Sequence, residues 1–356
     1  MDVEELLKKR SAEINKMIEK WMPRRYNEKN LEFALGNARF RYNLEAPNRA
    51  IAEPLWNLLD RGGKRWRPVL MMLICEALGG DAKKHADFVV IPELIHEGTL
   101  CIDDIEDNST LRRGKPCVHK IFGQDIAINA GNAMYYLPLL VLLKSKLDEK
   151  TKLQIYETYV QEMINISFGQ GMDIAWHNGT ANADRISEEE YLQMCAYKTG
   201  TLARMAAKIG AILAGADEKA IEKAGRFAES LGIAFQIQDD VLNLTAQSGK
   251  GQFVEEYIGE DIHEGKRTLL VIHASKKADE GDRKRLIEIL NMHTNDRNLI
   301  KEAIDIIKKH DAVEYAKKKA QNLVESAWND FEPLLREGEA KNELKALVEF
   351  SIKREF

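Results

Sequence analysis

Apolar residues recur at three- and four-residue spacing along most of this chain, and no run alternates apolar with polar convincingly enough for a strand. The amino-terminal stretch, residues 1 to 22, carries Leu7, Ile14, Met17, Ile18 and Trp21 at helical spacing and stops at Pro23. It is expected to pack on the body or on a subunit partner, with a membrane-surface role as the lesser alternative. Residues 28 to 60 predict one or two helices with a turn near Ala46-Pro47-Asn48. A helix over 69 to 78 closes at Gly79-Gly80, and Asp81 is placed to cap the next. That next helix runs through Phe88 and His96 into an acidic cluster, and its apolar surround predicts a central place in a bundle.

Two long apolar helices follow, over 124 to 147 and 151 to 172, the second ending at Gly169 and Gly171, where a kink or close packing is expected. Ser187 with Glu190 forms a capping box for a helix that contains Tyr197-Lys198-Thr199-Gly200-Thr201. Helices over 203 to 215 and 218 to 245 precede a polar, glycine-bearing loop from 247 to 264. Five more helices are predicted over 268 to 275, 282 to 292, 295 to 309, 311 to 335 and 340 to 353. Their charge pattern reads as solvated outer faces. The pattern predicts an all-α helical bundle in a chain long enough for one large or two medium domains; the reading adopted is a single domain, with 1–45 as an extension packed on a body formed by 46–356.

Composition narrows the class. A hydrophobic content of 44% can fill a core, and a formal net charge of -5 with pI near 6.0 argues against a general nucleic-acid binder. Cys75, Cys101, Cys117 and Cys195 show no paired CxxC spacing and read as reduced, buried residues of a cytoplasmic protein. The amino terminus lacks the order of a signal peptide, and no charge-free apolar run of spanning length is counted, so no membrane span is expected.

The chemistry lies in two acidic clusters. In Leu100-Cys101-Ile102-Asp103-Asp104-Ile105-Glu106-Asp107, the three aspartates fall within an arc of roughly 100° on one helix. Gln236, Asp239, Asp240 and Asn243 share a face in the same way. Like charges at this spacing repel and call for a cation. Two such faces, opposed across a cavity, would suit a hard divalent ion that prefers oxygen ligands.

Basic groups lie near both clusters in sequence. Asp60-Arg61-Gly62-Gly63-Lys64-Arg65-Trp66-Arg67-Pro68 gathers four cations at a helix start, where they oppose the helix dipole and so fit an external anion better than the helix itself. Arg112 and Arg113 follow the first aspartates on a loop broken by Gly114 and Pro116, where they could neutralise those carboxylates in ion pairs or bind phosphate bidentately. Lys198 is a cation inside an apolar run, a place where lysine is rare unless paired. Asp173 reads as a cap or a partner of a cation. His96 lies about two turns before Asp103 on roughly the same face, either as a satisfied core residue or as a ligand. No serine or cysteine triad, zinc spacing or Walker loop is present. The inventory suits a ligand with a diphosphate head and a hydrocarbon body.

These motifs resemble those of the trans (all-E) isoprenyl diphosphate synthases, from Gly62 almost to the carboxy terminus. The matches are Gly62 to Pro68, the DDxxD of Asp103, Asp104 and Asp107, Arg112-Arg113-Gly114, Gly169-Gln170 with Asp173, Lys198-Thr199-Gly200, Phe235-Gln236 with Asp239-Asp240, and 259 to 266. The resemblance implies an all-α isoprenoid-synthase fold around a central deep cavity, a homodimer and Mg²⁺, three ions per active site. It implies that Asp103 and Asp107 bind two ions and Asp239 a third, with Asp104 and Asp240 in support. Arg112, Lys198, Thr199, Gln236 and Lys266 would contact the allylic diphosphate, and Lys64, Arg67, His96 and Arg113 isopentenyl diphosphate. The reaction implied is head-to-tail (1'-4) condensation of the two through an allylic cation, with Asp103, Asp107, Lys198 and Asp239 carrying the catalysis.

The chain departs from the family pattern in two places. Glu256 stands where a lysine often precedes the glycine of the late GxD motif, which leaves open whether Lys250 substitutes, and Asn243 replaces the commoner third aspartate. Gly98 and Thr99, five and four residues before Asp103, are small where bulky aromatics shorten products. A product of C20 or longer is therefore expected, a floor still being open to neighbouring helices such as that holding Met134 to Val141, with Gly98 as the position to enlarge in order to shorten it. A class I terpene cyclase would share the aspartates but lack the Lys64/Arg67 loop. A non-catalytic partner subunit would typically have lost the aspartates, and a scaffold protein would not hold seven motifs in order.

Overall fold

The computed structural model of the chain describes residues 3–245 and 258–353. The principal helices are α1 (Val3–Trp21), α2 (Glu28–Leu35), α3 (Glu53–Leu59), α4 (Trp66–Ala77), α5 (Val90–Glu106), α6 (Val118–Phe122), α7 (Gln124–Tyr136), α8 (Leu140–Lys144) and α9 (Glu149–His177). They continue as α10 (Glu188–Cys195), α11 (Thr201–Leu213), α12 (Glu218–Thr245), α13 (Glu260–His263), α14 (Leu269–Lys277), α15 (Glu280–Asn291), α16 (Arg297–Lys309), α17 (Ala312–Phe331) and α18 (Glu339–Lys353). Among the described residues the only sheet is a two-residue ladder, Leu111–Arg112 against Lys115–Pro116. The all-α fold read from periodicity is the one observed.

Contacts divide the chain into two compact units. Unit 1 holds the chain up to Glu157 with Ala206–Asp217 and Arg336–Glu343; unit 2 holds Thr158–Met205, Glu218–Leu335 and the chain from Leu344. In unit 1, α5 packs on α7, and α1 lies on α4 and α5. Its core includes Leu70, Leu73, Ile74, Ile91, Leu94 and Ile95, all with no exposed surface. The amphipathic pattern of α1 is used as predicted, since Leu6, Leu7, Ile14 and Ile18 are buried. In unit 2 the longest contact is α12 on α17. There Phe227 stacks on Phe331 at 5.3 Å between ring centres and lies 5.4 Å from Trp328. Aromatic pairs in this range add about 0.5–1.5 kcal/mol to the burial itself.

Three local readings change. The helix predicted over 124 to 147 breaks at a 3₁₀ turn, Leu137–Leu139, because Pro138 has no N–H to donate and its ring crowds the preceding turn. The same stretch corrects the expectation about membrane-length segments. Gln124–Lys144, with mean hydropathy 1.5, is long and apolar enough to cross a membrane on length and composition, although 44% of it is buried inside the protein. That burial serves α7, whose Ala127, Ala130, Gly131 and Met134 are covered. Finally, α9 runs through Gly169 and Gly171 to His177 as one helix. A Cβ on Gly169 would collide with the backbone of Lys198, so this glycine is there for close packing within unit 2.

Candidate active site

The site residues gather in two clusters, one in each unit. In unit 1, α5 carries Asp103 and Asp104 in its last turn and Asp107 at its C-cap, where the helix dipole disfavours negative charge. The relief comes from the following hairpin. Arg113 and Gly114, at φ 51° and 73°, form its tight turn, with Arg112 paired to Lys115 across the ladder. Neighbouring residues there point in different directions, so the two arginines separate. Arg112 donates Nε to Asp104 Oδ1 at 2.7 Å, with Nη2 at 2.5 Å from the same oxygen and 3.7 Å from Asp103 Oδ2. Burial alone would lower the Arg112 pKa, but the two aspartates more than offset it and hold the group above its ordinary value. Asp104 is fully buried and its Oδ2 has no hydrogen-bond partner. It anchors Arg112, while Asp103 and Asp107 are only half-buried. Arg61 staples the hairpin by donating to the carbonyls of Arg112 and Pro116 at 3.1 and 2.8 Å.

Arg113 turns the other way, to Glu97 and to the Gly62 carbonyl. Glu97 and Glu93 are buried on α5 and both accept from Arg65 at 2.6 Å. The prediction of an apolar surround for this helix missed these two carboxylates. The signal available was their spacing, four residues apart, with Glu93 about one turn before His96 and Glu97 next to it. Burial and Glu93 push the Glu97 carboxyl up, and Arg113 and Arg65 oppose that. His96 is held well below its ordinary pKa by burial first and then by Arg67, Arg113, Arg65 and Arg112, so it is neutral amid four guanidinium groups. Lys64, just before α4, and Arg67, in its first turn, are half-buried, Arg67 lying 4.7 Å over the Trp66 ring.

Gly98 does not face open space. A Cβ there would meet the Gly131 carbonyl at 2.9 Å, Met134 Cβ at 3.0 Å and Tyr135 Cε1 at 3.0 Å. Any side chain at Gly98 must therefore shift α5 against α7, and the bulk beside it is supplied by Tyr135. Thr99 Oγ1 donates to the His96 carbonyl at 2.8 Å.

In unit 2 the second cluster is built on a wide turn. The Ala196–Gly200 segment is a single π-helical turn, which places Lys198 Nζ 2.5 Å from Asp173 Oδ2. Burial would raise Asp173, but Lys198 and Lys266 bring it below its ordinary value. Thr199 Oγ1 donates to Gln236 Oε1 at 2.8 Å, and Gln236 Nε2 donates to Asp240 Oδ1 at 2.9 Å. Tyr191 OH reaches Asp240 Oδ2 at 2.6 Å, and burial pushes Asp240 up to about 6. Asp239, its neighbour in chain, is half-buried. Asn243 accepts the Asp261 N–H at 3.2 Å, and its carbonyl accepts that of Gly259 at 2.9 Å. Asp261 is raised well above its ordinary value by burial, against the pull of Lys266. Lys266 also pairs with Glu264. Tyr191 carries no signal in the sequence, whereas Asp261, the aspartate of the late GxD motif, lies within the 259 to 266 match without a role of its own. Lys250 and Glu256 lie outside the described residues.

Among the described residues, no group of three or more His, Cys, Asp or Glu side chains is arranged to hold a metal ion. The donor chemistry still fits Mg²⁺, which keeps several waters and binds through one or two carboxylates together with substrate phosphates rather than in an all-protein cage. Asp103 and Asp107 supply hard oxygen donors at a helix end, and Asp239 does so in unit 2.

The family described as polyprenyl synthetase matches residues 48–307. A short chain isoprenyl diphosphate synthase of Methanothermobacter thermautotrophicus is 35% identical over 84% of this chain and 89% of its own length. A geranylgeranyl diphosphate synthase of Saccharolobus solfataricus is 32% identical over 89% of this chain and 94% of its own. The crystal structure of geranylgeranyl pyrophosphate synthetase from Pyrococcus horikoshii superposes with a TM-score of 0.84 at 30% identity, covering 99% of this chain and 98% of that one.

Proposed function

This chain belongs to the polyprenyl synthetase family and is a prenyltransferase; from that premise we propose that it condenses isopentenyl diphosphate head to tail with an allylic diphosphate. The observation that carries this reading is His96, half-buried and held neutral among Arg65, Arg67, Arg112 and Arg113. It marks an anion-binding place on the same helix as Asp103 and Asp107, which a cyclase taking one diphosphate would not require.

The proposed roles follow from the chemistry. Ionisation of the allylic C–O bond leaves negative charge on diphosphate, and preplaced cations stabilise that charge most in the transition state. Mg²⁺, held by Asp103 and Asp107 and by Asp239, would supply Lewis-acid stabilisation of the departing diphosphate. Arg112, Lys198, Thr199, Gln236 and Lys266 would hold the same group. Lys64, Arg67, His96 and Arg113 would hold isopentenyl diphosphate, so that its double bond attacks the allylic cation before proton loss. The departing diphosphate would serve as base.

A product of C20 or longer is proposed, with the depth of the chain site set by Met134 and Tyr135 of α7 rather than by a residue at position 98. A homodimer is proposed as well. It is supported by Val160, Ile164 and Phe168, which are 51%, 48% and 68% exposed along one face of α9. All four cysteines are free and buried, which suits a reducing, cytoplasmic setting. Incubation with Mg²⁺, isopentenyl diphosphate and geranyl diphosphate, read by mass spectrometry, should give chains of C20 or more. Absence of elongation would refute the synthase reading, release of a hydrocarbon would favour a cyclase, and farnesyl diphosphate alone would overturn the product length.

A further inference from the structure

Glu97 belongs to none of the motifs that carry the family resemblance, yet it ties two of them together. Its side chain has no exposed surface. Oε1 accepts Nη1 of Arg65 at 2.6 Å and Nη2 of Arg113 at 3.0 Å, and Oε2 accepts Nη1 of Arg113 at 3.3 Å. Arg65 lies in the loop that presents Lys64 and Arg67, and Arg113 is at the tip of the hairpin after the aspartates. Glu93, one turn earlier on α5, takes the same Nη1 of Arg65 at 2.6 Å. Arg113 Nη1 also donates to the Gly62 carbonyl, which closes the hairpin onto the loop.

The backbone shows what this arrangement overcomes. Arg65 and Arg113 both sit in the left-handed region, at φ 50° and 51°, which side chains other than glycine rarely adopt. Two strained residues, both arginines and both on one carboxylate, mark a geometry held by design rather than by local preference. The charges point the same way. Arg65, Arg67, Arg112 and Arg113 surround one neutral histidine, and without buried counter-charges they would repel one another apart. The contacts of Arg113 with Glu97 and Gly62 use Nη1 and Nη2 and none uses Nε, so the Nε edge of the guanidinium is left for an anion. A clamped guanidinium has little rotamer freedom left to lose when that anion binds.

We propose that Glu97 is a positioning residue for the isopentenyl diphosphate half of the reaction, locking Arg113 and the Lys64–Arg67 loop into one arrangement before the substrate arrives. The proposal rests on the reading of Lys64, Arg67, His96 and Arg113 as that diphosphate's site. Glu97 touches no substrate itself; it acts through Arg113 and Arg65.

The test is steady-state kinetics of Glu97→Gln with Mg²⁺, varying isopentenyl diphosphate and geranyl diphosphate separately. Glutamine keeps the shape and removes the charge. The KM for isopentenyl diphosphate should rise about tenfold or more, in the range found when groups supporting a ligand-binding residue are removed. The kcat and the KM for geranyl diphosphate should stay within about twofold of wild type, a split that a general loss of packing would not produce. Glu97→Asp should recover part of the affinity. An unchanged KM for isopentenyl diphosphate, or an equal rise in both, would overturn the proposal; a fall would also do so, showing that Glu97 competes with substrate for Arg113. If Glu97→Gln lacks a cooperative melt, Arg65→Lys, which cannot bridge both glutamates through a planar fork, is read by the same criteria. Wild-type protein that elongates nothing would instead defeat the parent reading, so the two failures are distinguishable.

Discussion

The two acidic clusters meet the same problem with different chemistry. In unit 1 the carboxylates are matched to arginines, which are always charged and bind through a rigid fork. Asp104 is spent on Arg112, and Glu97 and Glu93 on Arg65 and Arg113. In unit 2 the partners are two lysines, an amide, a hydroxyl and a phenol, and Asp240, its carboxyl pushed up to about 6, is still mostly ionised at pH 7 but titrates closer to neutrality than an ordinary aspartate. A guanidinium network fixes geometry, whereas lysine pairs mixed with hydrogen bonds from an amide, a hydroxyl and a phenol leave the charge state of Asp240 adjustable. The first cluster reads as a preset frame and the second as one completed when cations and diphosphate arrive.

Four substitutions test that contrast. The largest effect is expected for Asp103→Ala, which should lower elongation by about 10²–10³-fold with little change in melting temperature, because the half-buried Asp103 serves the ligand more than the fold. Retained activity would show that this motif is not the metal site. Lys198→Met comes next, as it takes from Asp173, which is 7% exposed, its direct ion-pair partner and leaves only the lesser pull of Lys266 and His177. Removing one partner of a buried pair costs about 3–5 kcal/mol, and calorimetry should show it.

The same variant carries a pH signature. The folded pKa of Asp173 lies below its ordinary 3.8, so its contribution to stability is fully present above about pH 4 and is lost as pH falls through the folded value. Melting temperatures recorded between about pH 2 and 5 should fall with acid in the wild type and flatten in Lys198→Met. A parallel curve would mean that the pair does not govern acid stability.

Tyr191→Phe should cost about 1–2 kcal/mol, since it removes one buried donor from Asp240 and leaves that oxygen unsatisfied. Denaturant titration measures this. Asn243→Asp should have the smallest effect, within about twofold in kcat/KM. The new carboxylate can keep accepting the Asp261 N–H, a bond worth about 1 kcal/mol, and adds charge only at the margin of the cluster. A gain of tenfold would mean that unit 2 lacks metal-binding charge, contrary to the contrast drawn here.

Much of the site could be read in the sequence because its residues are ordered in short motifs. DDxxD places three aspartates on one helical face whatever surrounds it, and a lysine in an apolar run demands a counter-ion, which Asp173 provides. The misses have a common cause. Glu93 and Glu97 interrupt an otherwise apolar helix, and periodicity alone cannot say that they are neutralised by arginines from two separate loops. Gly98 was judged by the absence of its own side chain, whereas the neighbouring Tyr135 and the Gly131 carbonyl fill the space.

By itself the sequence determined the helical class, most helix boundaries, the Ser187–Glu190 capping box and the reaction family, because those depend on local spacing, propensity and motif order. Asp81 instead caps a turn at Lys84, since a 3₁₀ segment precedes the helix that starts at Val90. Tertiary structure alone decided which charge pairs with which, that Asp104 anchors Arg112 while Asp103 and Asp107 remain half-buried, and that Gly98 is a packing contact. Pairing and burial are set by groups distant in the chain, and the interaction of two charges depends on their separation and shielding in space rather than on their distance in sequence.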